Sequence, residues 1–241
     1  MTSVASTPSS IPAPLVVFEG IDGSGKGTHA ARLRERMEAA GISCGLISFP
    51  RYQSTFFGSR IGEFLNGDFG ALSDLDPFLI SLLYAGDRME SQTRLQELRN
   101  EHAAVILDRY VPSNIAHQSA RRTGAARETL RQWIEQIEYR IFELPQPDLV
   151  ILLDIPVEFS QELIRRKQQR SYTERVTDLQ ESDPAYLQEV RNVYLQLAAT
   201  QPNWITVPVV SQSSLRSLEE LQNEIWQMVR SSLPKLAGSS G

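Results

Sequence analysis

The sequence predicts an α/β fold in which a five-stranded parallel sheet carries helices on both faces. Short apolar runs alternate with longer segments of helical periodicity along most of the 241 residues, which is typical of parallel sheets whose strands are joined by helices. A glycine-rich turn joins the first apolar run to the first helical segment. Charged and aromatic residues follow two later runs, at strand ends where open parallel sheets form their ligand crevice.

Five apolar runs are the predicted strands, and the segments between them are the predicted helices. The strands are expected at 16–19, 44–49, 103–107, 149–154 and 204–207. The run at 149–154 is apolar up to its last residue, so this strand is expected at the centre of the sheet. Helices are expected at 26–40, 59–65, 125–142, 184–200 and 215–233, and further helices are expected at Asp76, around Ser113 and from Val157.

The helix that begins at Asp76 carries two clear start signals. Asp76 is a good capping residue, and Pro77 fits the first turn. A core-facing stripe is expected at Leu79, Leu82, Leu83 and Gly86. Tyr84 and Arg88 are four residues apart and share another face of the helix. A ligand contact and a surface tyrosine stacked on an arginine stem are both open readings of this pair.

Composition limits the class of protein. With 41% hydrophobic residues the chain can bury the core of one medium domain, expected at 15–233, with a disordered lead-in at 1–14 and a flexible tail at 234–241. A net charge of −5 argues against a general nucleic-acid binder. The single cysteine, Cys44, fits a reducing, cytoplasmic compartment. No apolar run approaches the ~20 residues that cross a bilayer, so no membrane partner is expected.

The glycine-rich turn has the features of a phosphate-binding loop. It reads Gly20-Ile21-Asp22-Gly23-Ser24-Gly25-Lys26-Gly27-Thr28 and lies between a strand and a helix. Its backbone N–H groups and the start of the helix form an anion site, and Lys26 adds a charge for the outer phosphates. The hydroxyl that usually follows the lysine comes one residue later, at Thr28. A glycine-rich turn with a chance lysine is the less favoured alternative.

Charged residues at the strand ends predict a second part of the site. Arg51 and Tyr52 follow the second strand, and Asp108 and Arg109 follow the third. A carboxylate beside a guanidinium suits a magnesium–phosphate site, because the carboxylate orders metal-bound water and the guanidinium holds phosphate oxygens. An exposed ion pair is the alternative. A lone histidine such as His117 is more often structural than a ligand.

Four stretches together resemble the thymidylate kinase family. They are 18–26 with its internal Asp22, Phe49-Pro50-Arg51-Tyr52, Tyr84-Ala85-Gly86-Asp87-Arg88, and 108–114, which begins Asp108-Arg109-Tyr110. The resemblance spans about 15–207 and implies a three-layer P-loop NTPase fold with a mobile lid at about 165–182. It implies transfer of the ATP γ-phosphoryl group to thymidine 5′-monophosphate (dTMP), giving dTDP in a step of dTTP synthesis. It also implies Mg²⁺ as cofactor and a homodimer.

The resemblance also implies roles for individual residues. All nine loop residues, 20–28, would contact the ATP phosphates, and Asp22 would also lie near the sugar 3′-hydroxyl and the metal. Asp108 would hold the metal directly or through water. Catalytic roles fall to Lys26, Asp22, Arg109, Arg165 and Arg170. The dTMP pocket would comprise Asp22, Arg51, Tyr52, Tyr84, Arg88, Arg109, Ser113, Asn114, His117 and Glu181.

Within that pocket, the resemblance implies that Arg51 and Arg109 hold the acceptor phosphate. Tyr84 would stack on thymine, and Arg88 would donate to base O4 while Asn114 reaches the base edge. Relatives often carry tyrosine where this chain has His117, beside the deoxyribose 2′ position, so exclusion of ribonucleotides is expected to be less firm.

The basic run of the expected lid has two readings. Arg165, Arg166, Lys167 and Arg170 either form a solvated helix face or approach the phosphates when the lid closes. Asp178 and Glu181 follow at the spacing of the family's acidic pair, and Glu181 would order the sugar or the metal. Rival functions are a kinase for another nucleoside monophosphate or a deoxynucleoside, and, from another class, a P-loop regulatory ATPase or switch.

Overall fold

The computed structural model describes residues 12–170 and 183–234, and for 167–170 it describes the helical backbone alone. Within these ranges the predicted fold is confirmed: five parallel strands form one sheet in the order β2-β3-β1-β4-β5. The strands are β1 Leu15–Glu19, β2 Cys44–Ser48, β3 Ala104–Asp108, β4 Leu149–Asp154 and β5 Trp204–Pro208. β1 occupies the middle, and β4, expected there, lies beside it as another interior strand.

Helices connect the strands and cover the sheet. In chain order they are α1 Lys26–Ala39, α2 Phe56–Leu65, α3 Pro77–Glu90, α4 Gln92–Glu101, α5 Val111–Ser119, α6 Gly124–Glu135, α7 Val157–Arg170, α8 Pro184–Thr200 and α9 Leu218–Ser232. Sequence signals explain several ends. The Asp76 carboxylate accepts from the Phe78 amide at 2.8 Å and caps α3, and Gly41 follows α1 with φ 78°, a left-handed conformation that glycine adopts readily.

Several predicted boundaries were wrong. The helix expected at 59–65 begins at Phe56, because the Thr55 hydroxyl accepts from the Gly58 amide and caps it three residues earlier. The helix expected at 125–142 is α6 followed by a π-helical turn, Gln136–Ile141. The helix expected at 215–233 begins at Leu218, after a short hairpin of β6 Val210–Ser211 and β7 Ser214–Leu215 that the sequence analysis missed.

The core-facing stripe predicted on α3 was wrong for its three leucines, and only Gly86 is buried as predicted. Leu79 is 61% exposed, and Leu82 and Leu83 are only half-buried. The buried face carries Ile80, Ala85 and Gly86, together with the polar residues Ser81, Asp87 and Arg88. α3 therefore turns a polar face inward, where these side chains find partners on other elements.

Residues at the carboxyl edge of the sheet are held in register by the strands. Ser48 pairs with Asp108, and Phe18 pairs with Asp108 from the other side. Beyond the strand end, the Phe49 amide donates to the Asp108 carbonyl at 3.0 Å. The loops after β1, β2 and β3 therefore leave the sheet at one edge. At the opposite edge Ala13 is buried, and its amide donates to the Arg99 carbonyl. The limits of the domain at 15–233 and the flexibility of its two ends remain predictions.

Candidate active site

The loop between β1 and α1 has a backbone shape that depends on glycine. Gly20, Gly23 and Gly25 have φ values of 142°, 78° and 88°. A Cβ on Gly20 would lie 2.6 Å from the Leu153 carbonyl oxygen, and one on Gly23 would lie 2.6 Å from that of Ser160. Side chains at these positions would clash with backbone atoms as well as strain the chain. The Ser160 hydroxyl of α7 donates to the Asp22 carbonyl at 2.5 Å and holds the loop from behind.

Lys26 lies inside this loop. Its side chain is 6% exposed, and its ammonium donates to the carbonyls of Gly20 and Ile21, both at 2.9 Å. The ammonium is also 3.9 Å from the Asp22 carboxylate. Burial, together with the nearby Arg109 charge, lowers the pKa of Lys26 to about 8. The lysine is therefore a poorly solvated cation, and a phosphate oxygen would stabilise its charge.

Arg109 and Asp22 form an ion pair between the end of β3 and the loop. Burial alone would raise the pKa of Asp22, but the charges of Arg109 and Lys26 outweigh it and hold that pKa well below its usual range. Burial opposes the charge of Arg109 in turn, and the Asp22 carboxylate more than compensates and raises the pKa of the guanidinium. Arg109 also donates to the Ser113 hydroxyl at 3.3 Å.

The backbone of Arg109 is in the left-handed region, with φ 68°. Residues other than glycine adopt this conformation at a cost of about 1 kcal/mol or more, and such strain concentrates at functional sites. The Arg109 amide donates to the Phe18 carbonyl at 3.0 Å, which ties this conformation to the end of β1. The turn directs the guanidinium to Asp22 in the phosphate-binding loop.

Glu19 is a buried carboxylate that the sequence analysis missed. It is fully buried and accepts from the Tyr110 amide at 2.9 Å, the Ser113 hydroxyl at 2.6 Å and the Tyr194 hydroxyl at 2.8 Å. Burial raises its pKa, and the bond from Ser113 partly offsets this. Glu19 therefore holds the first turn of α5 against the end of β1. A glutamate ending a buried apolar strand was the available sequence signal.

Asp108 is the carboxylate best placed for a metal. It is half-buried at the end of β3, and a Cβ on Gly27 would lie 3.0 Å from its Oδ2 atom. Asp22 is already paired with Arg109, whereas the side-chain carboxylate of Asp108 makes no hydrogen bond or ion pair within 12–170 and 183–234. No cluster of three acidic, histidine or cysteine residues in these ranges forms a metal cage. This donor set suits Mg²⁺, which keeps several waters and binds through one or two carboxylates and phosphates.

A second buried ion pair lies beyond Ser113. Arg88 is 2% exposed and donates from Nε and Nη2 to the Glu138 carboxylate, at 2.5 and 2.7 Å. Burial opposes the charge of Arg88, but Glu138 outweighs it and raises the pKa. Asn114 donates from Nδ2 to Glu138 at 2.8 Å and to the Ser81 carbonyl at 3.0 Å. The structure therefore brings the predicted residues Arg88 and Asn114 together through Glu138, which was not predicted.

Asp87 anchors the segment that carries Arg51. The Asp87 carboxylate accepts from the Arg51 amide at 3.0 Å and from the Thr55 hydroxyl at 2.5 Å. The Arg51 guanidinium donates to the Ser91 hydroxyl at 3.3 Å. Asp87 belongs to the stretch 84–88 that resembles the family. Its role was missed because it depends on contacts with residues 32–36 positions away.

Two further residues predicted for the dTMP pocket are Tyr84, on α3, and Tyr52, which precedes α2. Tyr84 is half-buried and packs edge-on against Phe64, with ring centroids 6.5 Å apart. Tyr52 is 45% exposed and lies beside Gly62 of α2.

His117 occupies a buried position on α5, 6% exposed. The Tyr186 hydroxyl donates to the His117 carbonyl at 3.0 Å, so the ring Nδ1 donates back to that hydroxyl at 3.2 Å. The neutral Nε2 is then an acceptor, and it has no partner within the described ranges. Burial, together with the Arg109 charge, lowers the pKa of His117 to about 3. In the next position Gln118 is fully buried, with both amide atoms likewise unpaired.

The predicted lid lies largely beyond the described chain. Arg165 and Arg166 are exposed on α7, and Arg166 pairs with Glu162. The side chains of Lys167 and Arg170, and the whole of Asp178 and Glu181, lie outside the described residues.

A lysine buried in a glycine loop at the carboxyl edge of a parallel sheet defines the protein as a P-loop nucleotide-binding protein. The family model described as "Thymidylate kinase" matches residues 18–225. A thymidylate kinase of Mycobacterium tuberculosis is 35% identical over 185 residues, 77% of this chain and 86% of that protein. A probable thymidylate kinase of Sulfurisphaera tokodaii is 31% identical, covering 89% of this chain and 94% of that protein.

A solved structure is similar over nearly the whole chain. It is a thymidylate kinase from Candida albicans, with a TM-score of 0.71, 25% identity and 95% coverage of each chain. The chain belongs to the thymidylate kinase family.

Proposed function

We propose that the protein transfers the γ-phosphoryl group of ATP to dTMP, giving ADP and dTDP. One observation carries this proposal. Arg109 bonds both to Asp22 in the phosphate-binding loop and to Ser113 on α5, and the next residue, Asn114, belongs to the buried Arg88–Glu138 group. A phosphate-binding loop and a buried polar group therefore adjoin, with an arginine between them.

Positioning and charge compensation perform most of the catalysis in this scheme. Lys26 and the loop amides hold the outer phosphates of ATP. Arg51 and Arg109 hold the acceptor phosphate and offset its repulsion with the γ-phosphate. A general base is not required, because the acceptor phosphate oxygen is already anionic near neutral pH.

The metal and the lid complete the phosphate site in this proposal. Asp108 would hold Mg²⁺, directly or through water, and Asp22 would lie beside it. Bound Mg²⁺ supplies neutralisation of phosphate charge. The basic residues of the lid, Arg165 and Arg170, approach the transferred group when the lid closes, and closure excludes water as a competing acceptor.

In this proposal, residues of α3 and α5 recognise the base. Tyr84 stacks on thymine, Arg88 donates to O4, and Asn114 contacts the base edge, while Tyr52 packs near the sugar. The Nε2 of His117, which has no partner among the described residues, is an acceptor in a place where relatives often carry tyrosine. We therefore expect ribonucleotides to be discriminated less strongly than a bulky ring would achieve.

We further propose a homodimer formed through α2 and α3. Leu79 on α3 is 61% exposed and Phe56 on α2 is 64% exposed, and the two helices pack on each other. A second copy would cover these exposed apolar side chains. The cytoplasm is the proposed location, and the buried Cys44, whose pKa burial raises to about 12, is consistent with a reduced thiol there. In the described ranges no helix is long and apolar enough to cross a bilayer.

The test is ADP release from ATP-Mg²⁺ with a panel of nucleoside monophosphates and thymidine. We expect release to depend on the acceptor and to be fastest with dTMP. Preference for another monophosphate or for thymidine itself would favour a rival kinase. ADP release that ignores every acceptor would favour a regulatory ATPase and contradict the proposal.

A further inference from the structure

Glu138 is a fully buried carboxylate on a helical turn of unusual shape. α6 ends at Glu135, and Gln136–Ile141 form a π-helical turn in which the Phe142 amide donates to the Ile137 carbonyl at 2.8 Å. A π turn adds a residue to the helical repeat and rotates the side chains that follow, and such turns are frequent at functional sites. Here the turn places Glu138 inside the protein, although Glu135, one turn earlier, is 31% exposed.

Among the described residues, the Glu138 carboxylate bonds to Arg88 and Asn114, the two residues assigned to the base in the proposed function. Its Oε2 accepts from Arg88 Nε, and its Oε1 accepts from both Arg88 Nη2 and Asn114 Nδ2. Two bonds hold the planar guanidinium in one orientation and leave three of its five N–H donors, two of them on Nη1, for other acceptors. The Asn114 amino group has two acceptors, Glu138 and the Ser81 carbonyl, so its Oδ1 must point elsewhere. That Oδ1 is buried and has no partner within the described ranges.

The result is a fixed donor beside a fixed acceptor. Thymine presents the complementary pair, an acceptor at O4 and a donor at N3–H. Cytosine presents the reverse, an amino donor at position 4 and an acceptor at N3. We propose that Glu138 is the positioning residue that sets the base preference of this enzyme, by locking Arg88 Nη1 as donor and Asn114 Oδ1 as acceptor. This inference rests on the proposed phosphorylation of dTMP.

The orientation of the Asn114 amide is the feature most sensitive to Glu138. An asparagine amide can present either its oxygen or its amino group to a base. Without the Glu138 carboxylate, the Asn114 amino group loses one of its two acceptors, and the amide is free to turn its amino group toward N3 of cytosine. Arg88 loses the pairing with two carboxylate oxygens that orients its guanidinium. This change does not alter the phosphate-binding loop around Lys26, which lies on the other side of Arg109.

The test compares Glu138→Gln and Glu138→Asp with the matched control Glu135→Gln, which removes a carboxylate from the preceding turn of the same helix. Steady-state kinetics with dTMP, dCMP and ATP would be measured on purified, folded enzyme. In Glu138→Gln we expect kcat/KM for dTMP to fall about a hundredfold, mainly through KM, and the dTMP-to-dCMP preference to narrow at least tenfold. The ATP KM should stay within about twofold of wild type.

The conservative and control variants separate positioning from general loss of structure. Glu138→Asp keeps the charge with a shorter reach, so its base preference should fall between those of the wild type and Glu138→Gln. Glu135→Gln should keep the wild-type preference. If Glu138→Gln does not fold, the comparison rests on Glu138→Asp. An unchanged dTMP-to-dCMP ratio and dTMP KM in the folded Glu138 variants would overturn the inference. A wild-type enzyme without dTMP kinase activity would instead overturn the proposed function.

Discussion

At the scale of single residues, the site contains buried charged side chains whose charged forms burial alone would disfavour. Arg109, Asp22 and Lys26 lie together in the loop region. The charges of Asp22 and Arg109 stabilise each other, whereas burial and Arg109 disfavour the charge of Lys26, an effect that Asp22 partly offsets. Such an arrangement is costly to leave unpaired, and it is already oriented when an anionic ligand arrives.

Arg109 is expected to be essential for turnover but not for folding. Arg109→Ala should lower kcat about a hundredfold or more, since it removes a charge that faces the transferred group. Arg109→Lys should recover only part of this loss, because an ammonium lacks the planar fork. The measurement is kcat for dTMP alongside thermal unfolding.

The left-handed backbone of Arg109 supplies an internal control. Arg109→Gly should be as inactive as Arg109→Ala yet more stable than it by about 1 kcal/mol, because glycine adopts this φ without strain. Near-normal turnover in the alanine and glycine variants would contradict the role given to Arg109.

Lys26 should make nucleotide binding depend on pH. Its pKa is lowered to about 8 in the free protein, and bound phosphates would raise it, so binding above pH 8 requires uptake of a proton. ATP-Mg²⁺ affinity should therefore be flat near pH 7 and fall toward tenfold per pH unit above 8, about thirtyfold by pH 9.5. Calorimetric titration in two buffers of different ionisation enthalpy measures both the affinity and the proton.

Lys26→Arg is the control for this pH dependence. The guanidinium stays protonated over the whole range, so its weaker binding should show no step near pH 8. A wild-type affinity that does not change between pH 7 and 9.5 would show that Lys26 is not the titrating phosphate ligand.

At the scale of elements, the contact between α2 and α3 depends on a missing side chain. A Cβ on Gly86 would lie 2.6 Å from the Phe57 ring, whereas a Cβ on Gly62 would meet Tyr52 at an ordinary 3.7 Å. Gly86 therefore lets α2 approach the helix that carries Arg88.

Two identical substitutions should then have opposite effects. Gly86→Ala should destabilise the protein by about 1–3 kcal/mol through overpacking. Gly62→Ala should stabilise it by up to about 1 kcal/mol, since alanine favours a helix interior. Urea unfolding measures both, and removal of the ring by Phe57→Ala should abolish the cost at Gly86. Equal effects at the two glycines would contradict this account of the helix contact.

The elements that could be predicted were those with local signals. The capping Asp76, the glycine loop and the apolar strands depend on residues close in sequence, and the structure confirmed them. The prediction for α3 failed because the buried face of this helix is largely polar. Distant partners determine which face is buried, such as Glu138, which lies 50 residues from Arg88. The π turn that directs Glu138 inward has no periodicity of its own from which it could be predicted.

At the scale of the whole molecule, the sheet and the carboxyl edge where the site lies followed from strand alternation. The strand order did not, because it is set by long-range packing that one sequence does not display. The same limit applied to Glu19, whose partners Ser113 and Tyr194 come from α5 and α8. Arg51, Asp108 and Arg109 could be proposed from their positions at or just after strand ends, whereas Glu19 and Glu138, which bond to neighbouring residues from distant parts of the chain, were missed.

The proposed assembly makes its own prediction. Leu79→Glu places a charge on the apolar surface of α3 and should convert a dimer into a monomer, as measured by light scattering after gel filtration. Leu218→Glu is the control, because Leu218 is also exposed, at 40%, but lies at the start of α9. A wild-type monomer, or a dimer unchanged by Leu79→Glu, would contradict an interface through α2 and α3.

The proposed mechanism requires a triphosphate site and a thymine-nucleotide site that adjoin across Arg109. The most direct test is the affinity of a compound in which adenosine and thymidine are joined 5′ to 5′ by five phosphates, compared with its cytidine counterpart. We predict one molecule per chain, displaced by either ATP or dTMP, with a Kd at least about a hundredfold below that of ATP. If the thymidine and cytidine compounds bind equally, and no more tightly than ATP, the existence of adjoining triphosphate and thymine-nucleotide sites is contradicted.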